Sequence, residues 1–462
     1  MFDDLKHSLR ILEGLAEVLL LTLIYYGGWR IFYADEGLFP AFFGNGKFVL
    51  MGVYAGLLFV VFYLCDCFKY GHHKLTDVIV SQWISIFIVN VITYFQLCLI
   101  ANQMIETGPM LLILFMDVGV SFLCAYLYTA IYHHYCVPRN MLLVFGREDS
   151  LDLKFKMDTR SDKYQITQVI SYDWGMDEIC DAIDRHDAVI INDIPSEARN
   201  DLIKYCYGRG IRAYVAPKVS DIILTGSKEI SLFDTPLRLI KGRGLTLTQR
   251  FTKRAMDIIL CSLALVLFSP FMLLTALAIK IEDGGPVFYR QKRVTRNGKV
   301  FEILKFRSMI VDAEKAGEVI PATGRDPRIT KVGRIIRAVR WDESAQILNI
   351  LKGDMSIVGP RPERVEHVEK YSAAIPEWHF REKVKGGLTG YAQIFGKYNT
   401  SAYDKLRFDL LYIENYSLRL DIKLMFMTLR ILFSRESTEG FEKETEKEGR
   451  RKKLISDEAR DI

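Results

Sequence analysis

Long uncharged runs dominate the first third of the chain and give way to charge-rich stretches after it. A membrane-crossing helix needs roughly 20 apolar residues. Four early runs come near that length: residues 11–33, 48–65, a segment within 78–105, and 109–132. Glu13 and Glu17 make the first the weakest, and Asp117 lies inside the fourth. A carboxylate at membrane depth is costly to leave alone, so Asp117 is expected to pair with a neighbouring helix. Lys6, Arg10, Lys69, Lys74, Arg139 and Arg147 flank these runs on one side, against Arg30 and Lys47 on the other. Positive residues favour the cytoplasmic face, which predicts an internal N-terminus and a cytoplasmic chain after Pro138.

The pattern then changes. Short β-rich runs at 140–145, 165–170, 188–192 and 212–215 alternate with helical stretches. That alternation predicts a small Rossmann-like α/β module with a parallel sheet over 138–235. A lone Gly146 follows its first strand where a dinucleotide fingerprint would need GxGxxG, so a structural or regulatory module is expected. Gly242 and Gly244 mark a linker, placed at 236–250.

Residues 258–279 form a fifth uncharged run with Ser269-Pro270 near its centre and basic residues on both flanks. Proline removes a backbone donor and clashes with the preceding turn. A spanning helix shows its Lys/Arg bias on one side only. Together these predict a re-entrant helix over 251–282 that enters the membrane and returns to the same face. A spanning helix with a proline kink is the alternative, and it would place the remainder of the chain outside. A compact region is expected from 283 to 435. It includes a basic amphipathic helix at 331–351 and a helical stretch at 403–433 suited either to a membrane surface or to core packing. The charged tail, 436–462, is expected to be disordered.

Composition narrows the classes. Half of the 462 residues are apolar and the net charge is only +5, so bulk electrostatics does not point to nucleic acid. Eight cysteines occur without a CxxC pair, which argues against a zinc site or a disulfide framework. No small-residue cleavage site follows the first apolar run, so no cleavable signal peptide is expected.

Candidate chemistry gathers late in the chain. Arg334, Arg337 and Arg340 recur every three residues, and Asp342-Glu343 follows. An acidic pair of this kind is by itself more often a solvated helix face. Further on stand Gly353-Asp354, Val358-Gly359-Pro360-Arg361-Pro362-Glu363 and Gly386-Gly387-Leu388-Thr389-Gly390. Two prolines restrict the backbone on both sides of Arg361 and so aim one guanidinium, a group suited to gripping phosphate. Alone, that motif reads more often as a rigid surface turn with an incidental arginine.

From Gln249 to about Arg435 the sequence resembles the bacterial sugar transferase family, the monotopic polyprenyl-phosphate hexose-1-phosphate transferases. The resemblance rests on Arg254 to Ser269-Pro270, Gly285-Pro286-Val287-Phe288-Tyr289-Arg290-Gln291, Lys305-Phe306-Arg307-Ser308-Met309 and Asp326-Pro327-Arg328-Ile329-Thr330. It continues through Asp342-Glu343, the Arg361 motif, Leu388-Thr389-Gly390-Tyr391-Ala392-Gln393 and Tyr412-Ile413-Glu414-Asn415. Three places depart from the family's usual pattern: Ser344-Ala345 where Leu-Pro is common, Gly386 where Pro is common, and Tyr391 where Trp is common.

The resemblance implies a membrane protein with a four-helix transmembrane bundle, a Rossmann-like α/β domain and a mainly α monotopic catalytic domain carrying the re-entrant helix, broken at Ser269 and Pro270. It implies transfer of a hexose-1-phosphate from a UDP-sugar to polyprenyl phosphate, opening exopolysaccharide, capsule or O-antigen synthesis. Asp342 is then the nucleophile and Glu343 its support, both as ligands of Mg²⁺. Lys305, Arg307, Gln346, Arg361, Pro362 and Glu363 are the expected substrate-binding set. The expected location is the bacterial inner membrane with the catalytic domain cytoplasmic, in contact with membrane lipid. A homodimer is compatible, and nucleic acid is not an expected partner. Glucose and galactose lead as sugars, with N-acetylated sugars open. Two alternatives stand beside this reading: a membrane glycosyltransferase that releases UDP, and a non-catalytic sensor or scaffold.

Overall fold

Uncharged runs of this length must bury their backbone polar groups in helical hydrogen bonds if they enter lipid. The computed structural model bears this out. It describes residues 2–34, 39, 45–70, 74–135, 138–147, 151–232, 234–311, 326–396 and 400–433, which divide into two units at Pro217/Lys218. The tail and the stretch 312–325 lie outside the described residues.

In the first unit, α1 (Phe2–Gly28) runs on through a wider π-helical turn, Trp29–Tyr33. It is followed by α2 (Gly46–Leu64), α3 (Leu75–Ala101) and α4 (Gly108–Tyr135). All four are long and apolar enough to cross a membrane. α1 packs on α2 and α4, and α3 packs on the same two. Their polar groups meet internally. Asp117 Oδ2 accepts hydrogen bonds from Tyr54 Oη at 3.0 Å and Asn90 Nδ2 at 3.1 Å, so Asp117 pairs across helices as expected. Glu17 Oε2 likewise accepts from Tyr70 Oη at 2.5 Å and Gln82 Nε2 at 2.9 Å.

The α/β part contains β1 (Arg139–Phe145), α5 (Asp152–Asp158), β2 (Tyr164–Ser171), α6 (Met176–Asp184), β3 (Ala188–Asn192), α7 (Ser196–Arg209) and β4 (Arg212–Val215). The strands are parallel in the order β2–β1–β3–β4. The central strand β3 is buried throughout, which explains its unbroken apolar sequence.

The second unit opens with α8 (Val219–Thr225) and an antiparallel hairpin, β5 (Lys228–Leu232) and β6 (Thr235–Leu239). Val219 and Ile222 of α8 pack around Trp378 and Tyr412, in the core of this unit. The linker read at 236–250 is structured at both ends: β6 occupies its start and α9 (Leu247–Asp283) its end, with coil only between. Asp234, at φ 60°, supplies the left-handed turn that the sequence did not advertise, and Pro236 is tolerated because β6 is an edge strand.

Next come β7 (Phe288–Val294), β8 (Val300–Phe306), α10 (Lys331–Ala338), α11 (Gln346–Lys352), β9 (Ser356–Val358) and α12 (Val365–Ala374). β10 (Gly387–Thr389), α13 (Tyr391–Phe395), α14 (Ala402–Glu414) and α15 (Leu418–Phe433) complete the unit. One long-helix expectation is corrected here. The stretch 331–351 is two helices, because Arg340 adopts φ 54° and a 3-10 turn, Trp341–Ala345, intervenes. Arg340 therefore leaves the arginine stripe. The stretch 403–433 is also two helices, and its Leu406, Leu410, Tyr412 and Met427 are buried, so core packing prevails over a membrane-surface face.

The break expected at Ser269-Pro270 does not interrupt the helix: α9 is one helix of 37 residues, about 55 Å at 1.5 Å per residue, with Pro270 inside it. Ser269 Oγ donates to the Val266 carbonyl at 2.9 Å. One flank of α9 docks on the second unit along its length. Lys253 Nζ meets Asp421 Oδ2 at 2.6 Å, and Asp257 Oδ1 accepts from Ile357 N at 3.1 Å. Cys261 joins a cluster with Phe301, Ile303 and Ile350. Met272 and Ile279 pack with Phe306, Ile336 and Ala345. Finally the Glu282 carboxylate accepts from Lys331 N at 2.7 Å, capping α10. The opposite flank is bare and apolar, with Val266 74% and Leu273 71% exposed.

Candidate active site

The acidic pair sits in the turn between α10 and α11. Lys305, near the end of β8, reaches it: Lys305 Nζ lies 2.7 Å from Glu343 Oε1. Arg361 Nη2 approaches the same oxygen at 3.4 Å. Burial alone would raise the Glu343 carboxyl, but Lys305, Arg361 and Arg340 overcome it and lower it to about 2. Glu343 is thus an anion fixed by two cations. Asp342 differs. Burial pushes its carboxyl above the ordinary value and Glu343 adds to the push, while Lys305 and Arg337 oppose it. One neighbour is a locked anion and the other a titratable carboxyl, from environment alone.

The membrane-type helix sets the position of this turn. Trp341 Nε1 donates to Thr275 Oγ1 at 3.0 Å. The Trp341 ring stands edge-on to Phe268 at 5.5 Å and Phe271 at 6.4 Å between centroids, the two residues that bracket Ser269-Pro270. The residue just before Asp342 is therefore anchored to the proline region of α9.

The Arg361 loop leaves β9, which pairs in parallel with β10. This approach is close enough that a Cβ at Gly387 would lie 2.1 Å from Gly359 N, so glycine is required there. Arg293 holds the far side, with Nη1 donating to the Pro362 carbonyl at 3.1 Å and lying 4.0 Å from Glu363 Oε2. Burial, with Arg361 nearby, brings the Arg293 guanidinium down to about 10. Burial acts to raise Glu363, yet Arg381, Lys405, Arg361 and Arg293 leave it lowered.

Of the residues expected at the site, Lys305, Glu343 and Arg361 meet directly, with Asp342 beside them. Pro362 and Glu363 support the loop through Arg293. Arg307 turns away from the pair to Asp283 at the end of α9. Gln346 is buried at the start of α11. Sequence reasoning did not single out Arg293, Arg381 or Asp409 as site residues. Their partners lie from 20 to about 70 residues away, and no local motif marks them.

Comparison with known proteins bears on the same region. The profile described as bacterial sugar transferase matches residues 248–435, from the first turn of α9 to just past α15. A UDP-N-acetylgalactosamine-undecaprenyl-phosphate N-acetylgalactosaminephosphotransferase of Aeromonas hydrophila is 35% identical over 331 residues, 70% of this chain and 73% of that protein. The chain belongs to the bacterial sugar transferase family. A UDP-glucose:undecaprenyl-phosphate glucose-1-phosphate transferase of Escherichia coli K12 is 43% identical over 45% of this chain and 44% of that protein. The exopolysaccharide production protein ExoY of Rhizobium meliloti is 39% identical over 38% of this chain and 83% of that protein. The family region contains the whole of the Asp342 site, while α1–α4 and the α/β part precede it.

Proposed function

We propose that this chain transfers a sugar-1-phosphate from a UDP-sugar to undecaprenyl phosphate and releases UMP, the initiating step of a surface polysaccharide. The observation that carries this reading is the pairing of a titratable Asp342 with an anchored Glu343 among Lys305, Arg337 and Arg361. The names of the relatives supply the substrate class, and glucose and N-acetylgalactosamine lead as sugars.

In the proposed chemistry an ionised Asp342 oxygen attacks the β-phosphorus. The bond from that phosphorus to the bridging oxygen breaks, and UMP departs with the electron pair. An oxygen of undecaprenyl phosphate then attacks the same phosphorus and restores the Asp342 carboxylate. An ionised carboxylate needs no base; its obstacle is repulsion from the diphosphate. Lys305, Arg337 and Arg361 offset that repulsion in a partly buried site, where charge acts more strongly than in water.

Mg²⁺ suits this donor set. Among the described residues no trio of His, Cys, Asp or Glu forms an all-protein cage. Mg²⁺ typically takes one or two carboxylates and completes its shell with phosphate and water. Asp342 and Glu343 would hold it, and it would neutralise diphosphate charge.

We further propose that α1–α4 form a transmembrane bundle in a bacterial inner membrane and that α9 is re-entrant, keeping the active site cytoplasmic. Both ends of α9 dock on one polar unit while its other flank is bare and apolar, which suits insertion without crossing. Val300→Cys in intact cells tests this. It should resist an impermeant thiol reagent until the cells are opened; labelling from outside would overturn the re-entrant reading.

The UDP-releasing glycosyltransferase is separated by product. Purified enzyme with undecaprenyl phosphate and either UDP-glucose or UDP-N-acetylgalactosamine should release UMP with at least one donor. UDP release would refute the assignment.

A further inference from the structure

Pro360 and Pro362 carry no N–H, so residues 360–362 have a single backbone donor, that of Arg361. Such a segment cannot be pinned through a ladder of donors; it must be held by its carbonyls. Each carbonyl has a donor. Pro360 O accepts from Gly387 N at 2.9 Å, and Pro362 O accepts from Arg293 Nη1 at 3.1 Å. The middle carbonyl, that of Arg361 itself, accepts from Arg381 Nη2 at 2.9 Å.

Arg381 is in turn fixed. Its Nε donates to Asp409 Oδ2 at 2.8 Å, and its Nη2 lies 2.7 Å from the same oxygen. Its guanidinium stacks 4.6 Å from the centroid of the fully buried Trp378. Arg381 is 6% and Asp409 1% exposed. Burying an ion pair is expensive, and an apolar replacement of similar volume is often neutral or better for stability. A buried pair whose spare donor reaches the backbone of the proposed phosphate grip has a use that an apolar pair cannot supply.

We infer that Arg381 and Asp409 are positioning residues: Asp409 orients Arg381, and Arg381 holds the Arg361 backbone so that its guanidinium is aimed at Glu343 and at the diphosphate. Neither touches the reacting atoms. The inference rests on Arg361 being the phosphate grip, and it adds the device that aims it. A long-range pair between the 3-10 segment Pro376–Lys383 and α14 thereby controls a charge contact across the site.

A double-mutant cycle tests it, with UMP release read as kcat and KM in full-length protein. Arg381→Lys keeps the charge but loses the fork that serves Asp409 and the carbonyl together. It should lower kcat/KM about 100-fold, the scale of a 1 Å misplacement. In an Arg361→Met background the same change should cost less than about twofold, because contacting residues that act through one another are not additive. Asp409→Asn, which keeps the pocket volume, should repeat the pattern should Arg381→Lys fail to fold. A merely structural role would depress both backgrounds alike. Equal losses in the two backgrounds, or full activity in Arg381→Lys and Asp409→Asn, would overturn the inference and leave the Arg361 grip standing. Wild-type kcat/KM in Arg361→Met would instead remove the grip, and the inference with it.

Discussion

Asp342→Asn should abolish turnover, lowering kcat by roughly 10⁴-fold or more while the protein stays folded. The amide is nearly isosteric with the carboxyl, so the turn between α10 and α11 keeps its shape. Trp341 still donates to Thr275, and Glu343 still meets Lys305 and Arg361, since none of these three contacts uses the Asp342 side chain. What is lost is the nucleophile: an amide oxygen does not form the covalent phosphosugar. Substrate binding should persist: relief of the negative charge next to the diphosphate opposes the loss of one of the two carboxylates assigned to Mg²⁺, and Lys305 and Arg361 stay in place. Loss of binding together with loss of turnover would point to a structural role for Asp342. Steady-state UMP release alongside nucleotide-sugar titration separates the two.

Glu343→Gln should come next in size, with kcat down by about 10²- to 10³-fold, the range for removing one preorganised charge from an active site. Glu343 is the anion that Lys305 and Arg361 converge on. Without it the two cations lose their common anchor and the grip on phosphate loosens. The variant also carries a pH signature. Asp342 must be ionised to attack, so activity falls as pH drops through its folded pKa. Burial and Glu343 raise that pKa in the metal-free wild type, and Mg²⁺ on the pair would lower it, so the acid limb of kcat/KM is compared between wild type and variant at one Mg²⁺ concentration. Removing the Glu343 charge favours ionised Asp342, so the limb should move to lower pH in Glu343→Gln. A limb that stays in place would mean that the two carboxyls do not interact. A limb that moves up would contradict the sign of the whole electrostatic account.

The features legible in the sequence are those set by local composition. Uncharged runs announced α1–α4 and α9, and alternating β-rich runs announced the parallel sheet. The lone carboxylate Asp117 forecast a cross-helix partner, which is supplied by Tyr54 and Asn90. The acidic pair and the Pro360-Arg361-Pro362 motif were visible as residues, but their meeting was not. Lys305 lies 38 positions before Glu343 and Arg361 lies 18 after it. Only the fold brings all three to one oxygen.

Backbone exceptions hid the rest. Arg340 in a left-handed conformation ends a helix that periodicity alone would continue, and the acidic pair lies in the resulting turn rather than on a helix face. Asp234, also left-handed, turns β5 into β6, and β6 runs into the stretch read as a linker. Carbonyl clamps such as Arg293 on Pro362 and Arg381 on Arg361 are side chain–backbone contacts between distant segments, which no spacing rule reports.

The central claim is that the β-phosphate travels with the sugar through Asp342. The most direct measurement uses UDP-glucose and UDP-N-acetylgalactosamine labelled at the β-phosphorus, incubated with purified protein and no lipid acceptor. The account predicts label bound to the protein at Asp342, UMP released in equal amount, and transfer of that label to undecaprenyl phosphate when it is added. Label recovered in free UDP, or label on the protein that survives Asp342→Asn, would contradict it.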